Sequence, residues 1–474
     1  MSLTGKIVQN VGFLFAGRLA VKIFSLISTI LIARYLGEIG FGKYSFAFAF
    51  VSFFTIFSEL GLVQIVVREG ARHPEKLRSF LSNCLFLKLV LSILSFIIAT
   101  ILVILMGYPS GTILTVQIAA FILIIDSFNV YRAIYEVNLE MKYSVIFYSL
   151  SRLIQLLLIY LAISHDLGLY WIVFVTVLAN LIHNLFMYLH SRKTVAVNIK
   201  YNSHCCKFLL KESLPLALSS VFVIIYYRVD VVMLSFMTGD AAVGLYSAAY
   251  RFSESFTLIP NVVMISVFPL MSKYFNKDNS SFSFLYERSV KYLVFLSLPI
   301  AILTTFYSDI IIYYIYGSDF AASSVTLKIL IWATAFIFIN YSNGQLFVAI
   351  NKQRFTLIYT GFGVIINILM NSFLIPLYSY NGAAFATLLT EFFVAIVAFF
   401  FARSSINIVS LVKNNVYSIL SGIFMVGVLD FTVDTHPFIA MVVSTLIYLG
   451  FFYFIGGFDS FDKSLISHVF KKGN

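Results

Sequence analysis

Fourteen runs of about twenty mostly apolar residues divide this chain: 11–33, 43–63, 80–106, 113–131, 144–163, 169–190, 213–237, 244–268, 289–315, 326–349, 356–376, 383–402, 412–430 and 437–455. About 20 apolar residues in a helix cross the hydrocarbon core of a bilayer. Inside lipid, every backbone N–H and C=O must find a partner within its own segment or in a closed barrel. The period-two alternation of barrel strands is absent. The pattern therefore predicts an all-α polytopic membrane protein with about fourteen transmembrane helices. Only 11% of the 474 residues are charged, against about 25% in soluble domains. The mean hydropathy is +0.95, and no water-soluble core hides that much apolar surface. The first run carries Arg18 and Lys22 and is too long for a cleavable signal, so it reads as the first span.

Basic residues set the orientation. Nineteen lysines and arginines fall in the even-numbered connections, among them Arg68, Arg72, Lys207, Arg288 and Lys291. The odd-numbered connections hold only Arg34 and Lys43. Both termini and all even connections are thus expected in the cytoplasm, in a multi-pass protein of the cell membrane. The net charge of +11 follows largely from this bias and calls for no nucleic-acid partner. Basic strips beside a bilayer also attract anionic lipid head groups. Cys84, Cys205 and Cys206 form no disulfide framework. Cys205 and Cys206 adjoin His204, but the spacing fits no closed zinc site. No metal and no cofactor are expected.

Two stretches repeat. Residues 37–50 read GEIGFGKYSFAFAF and residues 239–252 read GDAAVGLYSAAYRF, 202 positions later. A second echo joins 140–162, leading span 5, to 352–374, leading span 11, with Gln155 and Asn367 at matching depth. Six spans separate the copies, so both run in the same direction. That is a parallel repeat about an axis along the membrane normal. The expected organisation is a first lobe of spans 1–6 (1–190), a basic cytoplasmic linker (191–210), a second lobe of spans 7–12 (211–403), and spans 13–14 with a cytoplasmic tail (404–474). Two such lobes around a cleft suit alternating access. Pro215, Pro260, Pro269 and Pro299 are expected to kink spans 7–9, as static bends or as flexing ones.

Several charges interrupt the apolar runs. Arg18, Lys22, Lys88, Arg152, Arg228 and Arg251 are the candidate head-group ligands. A central Lys or Arg costs about 2.5–3.5 kcal/mol on insertion scales, so such residues usually face a bundle interior or an aqueous cavity. Arg18 and Lys22 are four apart and share a helix face. Arg251 stands where the first copy has Ala49, and Glu254 where it has Ser52. Glu59, Glu254 and Glu391 are candidates for coupling to an ion. Asn340, Asn343, Gln345, Tyr226 and Tyr227 are candidates for bonding sugar hydroxyls. The competing reading is structural: ion pairs, or long cations that reach the nearer interface.

The stretches VGFLFAGRLAVKIF, LIARYLGEIGFGKYSFAFAF, GLYSAAYRFSESF, INKQRFTLIYTGFGVIINILMN and GAAFATLLTEFF span most of the chain. They resemble the polysaccharide-unit (O-antigen-type) flippases of the multidrug/oligosaccharidyl-lipid/polysaccharide exporter superfamily. The resemblance implies the two-lobed fold shared with MATE transporters, a cationic cavity and no enzymatic activity. It implies flipping of polyprenyl-phosphate- or pyrophosphate-linked oligosaccharide from the cytoplasmic to the outer leaflet, for cell-surface polysaccharide or glycan assembly. In some relatives two extra helices line a groove for the lipid tail, and Arg18 corresponds to a basic position often found in helix 1. Expected partners are the lipid-linked oligosaccharide, membrane lipids and glycan polymerases or glycosyltransferases, around a monomeric transporter. One rival is a MATE-like drug/cation antiporter, which should favour an acidic site. Another is an integral-membrane glycosyltransferase or polysaccharide polymerase, which should carry acid/base residues in a large outer loop. The longest outer connection, 308–325, offers only Asp309 and Asp319.

Overall fold

A computed structural model describes residues 3–195, 197–275, 277–403, 408–432 and 436–463; the side chains of 3–16, 218–220, 279 and 408 lie outside the described residues. The helices in chain order are α1 (Leu3–Glu59), α2 (Leu62–Arg72), α3 (Leu77–Leu105), α4 (Ser110–Ile125), α5 (Arg132–Val137), α6 (Met141–Ser164), α7 (Gly168–Ser191), α8 (Ser203–Thr238), α9 (Asp240–Ser255), α10 (Leu258–Tyr274), α11 (Asn279–Tyr316), α12 (Ser323–Ala349), α13 (Gln353–Ala402), α14 (Ile408–Phe431) and α15 (Pro437–Phe454). Short 3-10 turns lie at Pro74–Lys76, Asp126–Tyr131 and Ser318–Phe320, and no strand occurs among the described residues.

Among the described residues, twelve helical segments are long and apolar enough to cross a membrane. Two of them, Gly17–Arg72 and Gln353–Ala402, run for 56 and 50 residues. At about 1.5 Å per residue each is far longer than one crossing of about 30 Å. The first is interrupted at Gly37 and again at Leu60 and Gly61, and the second at Ser379. Counting them as two crossings each returns about fourteen.

The repeat is written in the backbone as well as in the letters. Gly37 has φ 63° and ψ −177°, and its counterpart Gly239 has φ 92° and ψ −176°. Both sit in the left-handed half of conformational space, where glycine carries no Cβ penalty. The second echo behaves alike. Leu139 and Asn351 both have φ 56°. At the first, Glu140 N–H donates to Tyr135 O at 2.8 Å and Leu139 N–H to Glu136 O at 3.3 Å. At the second, Lys352 N–H donates to Phe347 O at 2.8 Å and Asn351 N–H to Val348 O at 3.1 Å. These are matching Schellman closures of two helix ends.

The two copies of the glycine-rich phrase also touch. A Cβ on Gly42 would fall 1.8 Å from the carbonyl oxygen of Asp240, and one on Gly244 would fall 1.9 Å from that of Glu38. Gly42 matches Gly244 and Glu38 matches Asp240, so the contact is reciprocal. Small residues let helices in membranes approach this closely, and the geometry suits Cα–H···O contacts.

The chain forms two compact units, Met1–Ala248 and Ala249–Asn474. In the first, α8 packs on α1, α2 and α3. It begins ten residues before the apolar run that marks it in the sequence. Asn202 caps it by accepting from Cys205 N–H at 3.0 Å, while Asn83 Oδ1 accepts from Asn202 N–H at 2.7 Å. A criterion of unbroken hydrophobicity misses this amphipathic first stretch, which carries Lys207 and Lys211. The expected span 244–268 is two helices, α9 and α10, parted at Phe256 and Thr257. Ser253, Ser255 and Thr257 each donate a hydroxyl to a carbonyl three residues back, which competes with the helix ladder. Asp278 starts α11 by accepting from Ser280 and Ser281, and these bonds hold its carboxyl down at about 2.

Candidate functional site

The richest polar cluster in the first unit lies between α6 and α7. Thr176, Asn180 and Asn184 stand one turn apart on α7 and form a polar stripe in an otherwise apolar helix. Arg152 of α6 faces that stripe. Its Nη1 donates to Gln155 Oε1 at 2.6 Å, and its Nη2 to Tyr148 Oη and Asn180 Oδ1, both at 3.1 Å. Its guanidinium also stacks over the Tyr148 ring, 4.7 Å from the centroid. Gln155 donates on to Thr176 Oγ1 at 3.3 Å, and Tyr44 Oη lies 3.2 Å from the same oxygen. The repeat helix of α1 therefore reaches the cluster.

Every hydrogen-bond acceptor around Arg152 is neutral. Among the described residues no carboxylate comes within 4.0 Å of it, and Asp126 acts on it only at longer range. Arg152 is partly buried, and its guanidinium is held by the side chains of Gln155, Tyr148 and Asn180. Buried polar atoms at Arg152 Nε, His183 Nδ1 and Asn184 Oδ1 have no protein partner. The cluster is thus a preorganised positive charge in an apolar span, with spare donor and acceptor capacity.

Lys88 is placed differently. It is 1% exposed on α3, and no carboxylate lies within ion-pair distance among the described residues. Asp126 lies within electrostatic reach of both Lys88 and Glu59. Ser127 Oγ donates to Ser92 Oγ at 2.8 Å, fixing the Asp126 turn against α3 one helical turn from Lys88. Asp126 therefore joins Lys88 and Glu59 in one charged neighbourhood. Arg18 is exposed on α1, and Lys22 is half-buried one turn on. Gly17 lets α1 close onto α6, since a Cβ there would meet the Val145 side chain at 1.9 Å. Arg228 is half-buried on α8. Nearby, Asp230 is buried and accepts from Tyr246 Oη at 2.8 Å.

In the second unit Arg251 Nη1 pairs with Glu254 Oε2 at 3.2 Å, both about one-third exposed. Glu391 is buried and accepts from Asn340 Nδ2 at 2.8 Å. Asn343 is fully buried and accepts from Tyr286 Oη at 2.5 Å. Asn340 and Asn343 are thus engaged inside the unit. Tyr226 and Tyr227 of the first unit meet edge to face at 5.4 Å. Among the described residues no group of three His, Cys, Asp or Glu is arranged to hold a metal. Cys84 and Cys206 are buried, and Cys206 Sγ lies 3.5 Å from Asn83 Oδ1.

The sequence-based candidates therefore divide. Arg152 sits in a built cluster, Arg251 in an ion pair, Lys88 in a closed interior and Arg18 at an exposed position. Tyr148, Thr176, Asn180 and His183 were not among the candidates; the four-residue spacing of Thr176, Asn180 and Asn184 was a signal for Thr176 and Asn180, and none marked Tyr148 or His183.

The profile of the family described as "Polysaccharide biosynthesis protein" matches residues 7–275, and that of the MatE family matches residues 215–373. The capsular polysaccharide biosynthesis protein CapF of Staphylococcus aureus is 22% identical over 405 residues, covering 83% of this chain and 98% of CapF. The probable low-salt glycan biosynthesis flippase Agl15 of Haloferax volcanii is 25% identical over 36% of this chain and 37% of Agl15. Among solved structures, the lipid II flippase MurJ in an inward closed conformation superposes with a TM-score of 0.74 at 16% identity, covering 92% of this chain and 97% of MurJ. The fold is that of the MurJ and MATE transporters, and with more than half of its length matched, the chain belongs to the polysaccharide biosynthesis protein family.

Proposed function

We propose that this protein is a flippase that carries polyprenyl-phosphate- or pyrophosphate-linked oligosaccharide from the cytoplasmic to the outer leaflet by alternating access. Its product feeds cell-surface polysaccharide or glycan assembly. The observation that carries this reading is Arg152: a guanidinium held within an apolar span by three neutral acceptors, with no carboxylate in contact among the described residues. Keeping an uncompensated cation there costs free energy, which an anionic substrate would recover on binding. Kinship with CapF and Agl15 supports the same substrate class.

In this mechanism Arg18 and Lys22 meet the phosphate first, because Arg18 is exposed and both lie on one face of α1. Arg152, Lys88 and Arg228 of the first unit, and Arg251 of the second, are the further candidates for the phosphate. No bond is made or broken, so no acid/base pair is needed. Glu59, Glu254 and Glu391 remain the candidates for an ion that drives the cycle. The termini face the cytoplasm, the working unit is a monomer, and glycan polymerases or glycosyltransferases act before or after it. The MatE profile match keeps a drug/cation antiporter as the second reading; the cationic cluster speaks against it.

The test is flipping of a fluorescent polyprenyl-pyrophosphate oligosaccharide in proteoliposomes. Arg18→Ala combined with Lys22→Ala should abolish movement while leaving insertion and the size-exclusion profile intact. Unchanged movement in that variant would reject their role at the head group. Transport of a cationic dye in place of the lipid-linked sugar would favour the antiporter.

A further inference from the structure

The two helices outside the repeat are held by one short stretch of α11. Glu287 receives Ser410 Oγ of α14 at 2.6 Å, and Ser283 Oγ at 3.0 Å. One residue on, Arg288 grips the segment that follows α15. Its Nη1 lies 3.1 Å from Asp462 Oδ2, and its Nη2 pairs with Asp459. Lys291 Nζ reaches Asp462 Oδ2 at 2.6 Å, and Tyr292 Oη donates to Asp462 Oδ1 at 2.5 Å. Asp462 is 2% exposed. Arg288 and Lys291 thus share the buried carboxylate of Asp462, and Arg288 also pairs with the partly exposed Asp459.

The segment GGFDSFDK, 456–463, is shaped to deliver those carboxylates. Gly456 has φ 84°, and Gly457 N–H returns to Phe452 O at 2.8 Å, closing α15. A Cβ on Gly457 would stand 2.6 Å from the Phe452 ring. Phe458 packs on Phe452 at 4.9 Å, Phe461 packs edge-on against Phe284 at 5.1 Å, and Arg288 lies over Phe284 at 4.9 Å. Asp459 and Asp462 each accept the other's backbone N–H. Further along α11, Phe295 O accepts from Tyr448 Oη of α15 at 3.0 Å. Entry and exit of the helix pair are therefore tied to residues 287–295.

We infer that residues 456–463 are a clasp that fastens α14 and α15 to α11, so that the three helices travel as one body, and that Asp462 is its positioning residue. Surface ion pairs are weak ties. This one is buried, shared by three donors, and leaves a stranded charge if one partner goes. The claim that the body moves as one rests on the transporter reading; the clasp itself does not.

Two measurements separate these claims. In a variant with Cys84, Cys205 and Cys206 changed to Ser, Ile302→Cys and Gly422→Cys are joined by a short thiol cross-linker. A Cβ on Gly422 would stand 3.2 Å from the Ile302 side chain, which places the pair on facing sides of α11 and α14. Cross-linked protein should flip the fluorescent lipid within about twofold of the untreated rate; a tenfold loss would overturn the single-body motion. Asp462→Asn should speed amide exchange across 456–463 by at least tenfold and lower the cross-linking yield. Asp462→Glu should restore both. Unchanged exchange and yield in Asp462→Asn would overturn the clasp. If untreated protein moves no lipid-linked sugar, the transport reading fails, while the exchange and yield still decide the clasp.

Discussion

Gly42→Ala and Gly244→Ala should each destabilise the detergent-solubilised protein by roughly 1–3 kcal/mol or more. The double variant should cost clearly less than the sum. A methyl group at either position would stand within 2 Å of a backbone carbonyl oxygen. Backbone cannot rotate aside as a side chain does, so the two segments must separate. Both substitutions push the same segments apart along the same line. Once the first has opened the contact, the second meets less resistance, and residues in direct contact are where additivity fails. Thermal unfolding followed by fluorescence-detected size exclusion measures the three shifts. Additive losses would mean that the contacts act independently, and absence of loss at either glycine would mean that the approach carries no strain.

Arg152→Gln should reduce flipping of the lipid-linked sugar by about 10- to 100-fold, the scale of a lost charge-assisted hydrogen bond of roughly 1.5–3 kcal/mol. The substitution keeps a polar group beside Gln155, Asn180 and Tyr148 while removing the charge. Arg152→Lys should recover little, because a lysine has no planar fork to serve Gln155 Oε1, Tyr148 Oη and Asn180 Oδ1 together. Initial rates in proteoliposomes, compared with the thermal stability of the same preparations, distinguish substrate recognition from a packing role. Full flipping with lowered stability would make Arg152 a structural keystone and remove the main support for an anionic site. If removing the charge admitted a cationic dye, the site would be one whose polarity selects the substrate.

The clasp shows how far charge counting reaches. Arg288 and Lys291 were counted among the cytoplasmic basic residues that orient the chain. The structure buries both against Asp462. Topology statistics depend on which side of the membrane a charge lies; they are indifferent to whether it stays in water. The partners are about 170 residues apart in the chain, and no local pattern links such distant positions. Separation in the chain, though shorter, also hid the cradle of Arg152. Asn180 is 28 residues away on the next helix, so the fitness of α7 as a partner emerges only when the helices pack. By contrast the α7 stripe itself was present in the letters, since four-residue spacing on a helix is a local property.

By itself, the sequence determined that this chain lives in a membrane, that it is helical, that it crosses about fourteen times, and that one glycine-rich phrase recurs 202 positions later. Those properties follow from hydrophobic length, backbone hydrogen bonding and residue identity, which are local and additive along the chain. Only the tertiary structure decided that the repeated glycines press against each other's carbonyls, that Arg152 rests among neutral acceptors, and that an eight-residue tail segment returns to α11. Those outcomes depend on distances between segments far apart in sequence, where a shift of about 1 Å decides between a contact and a clash.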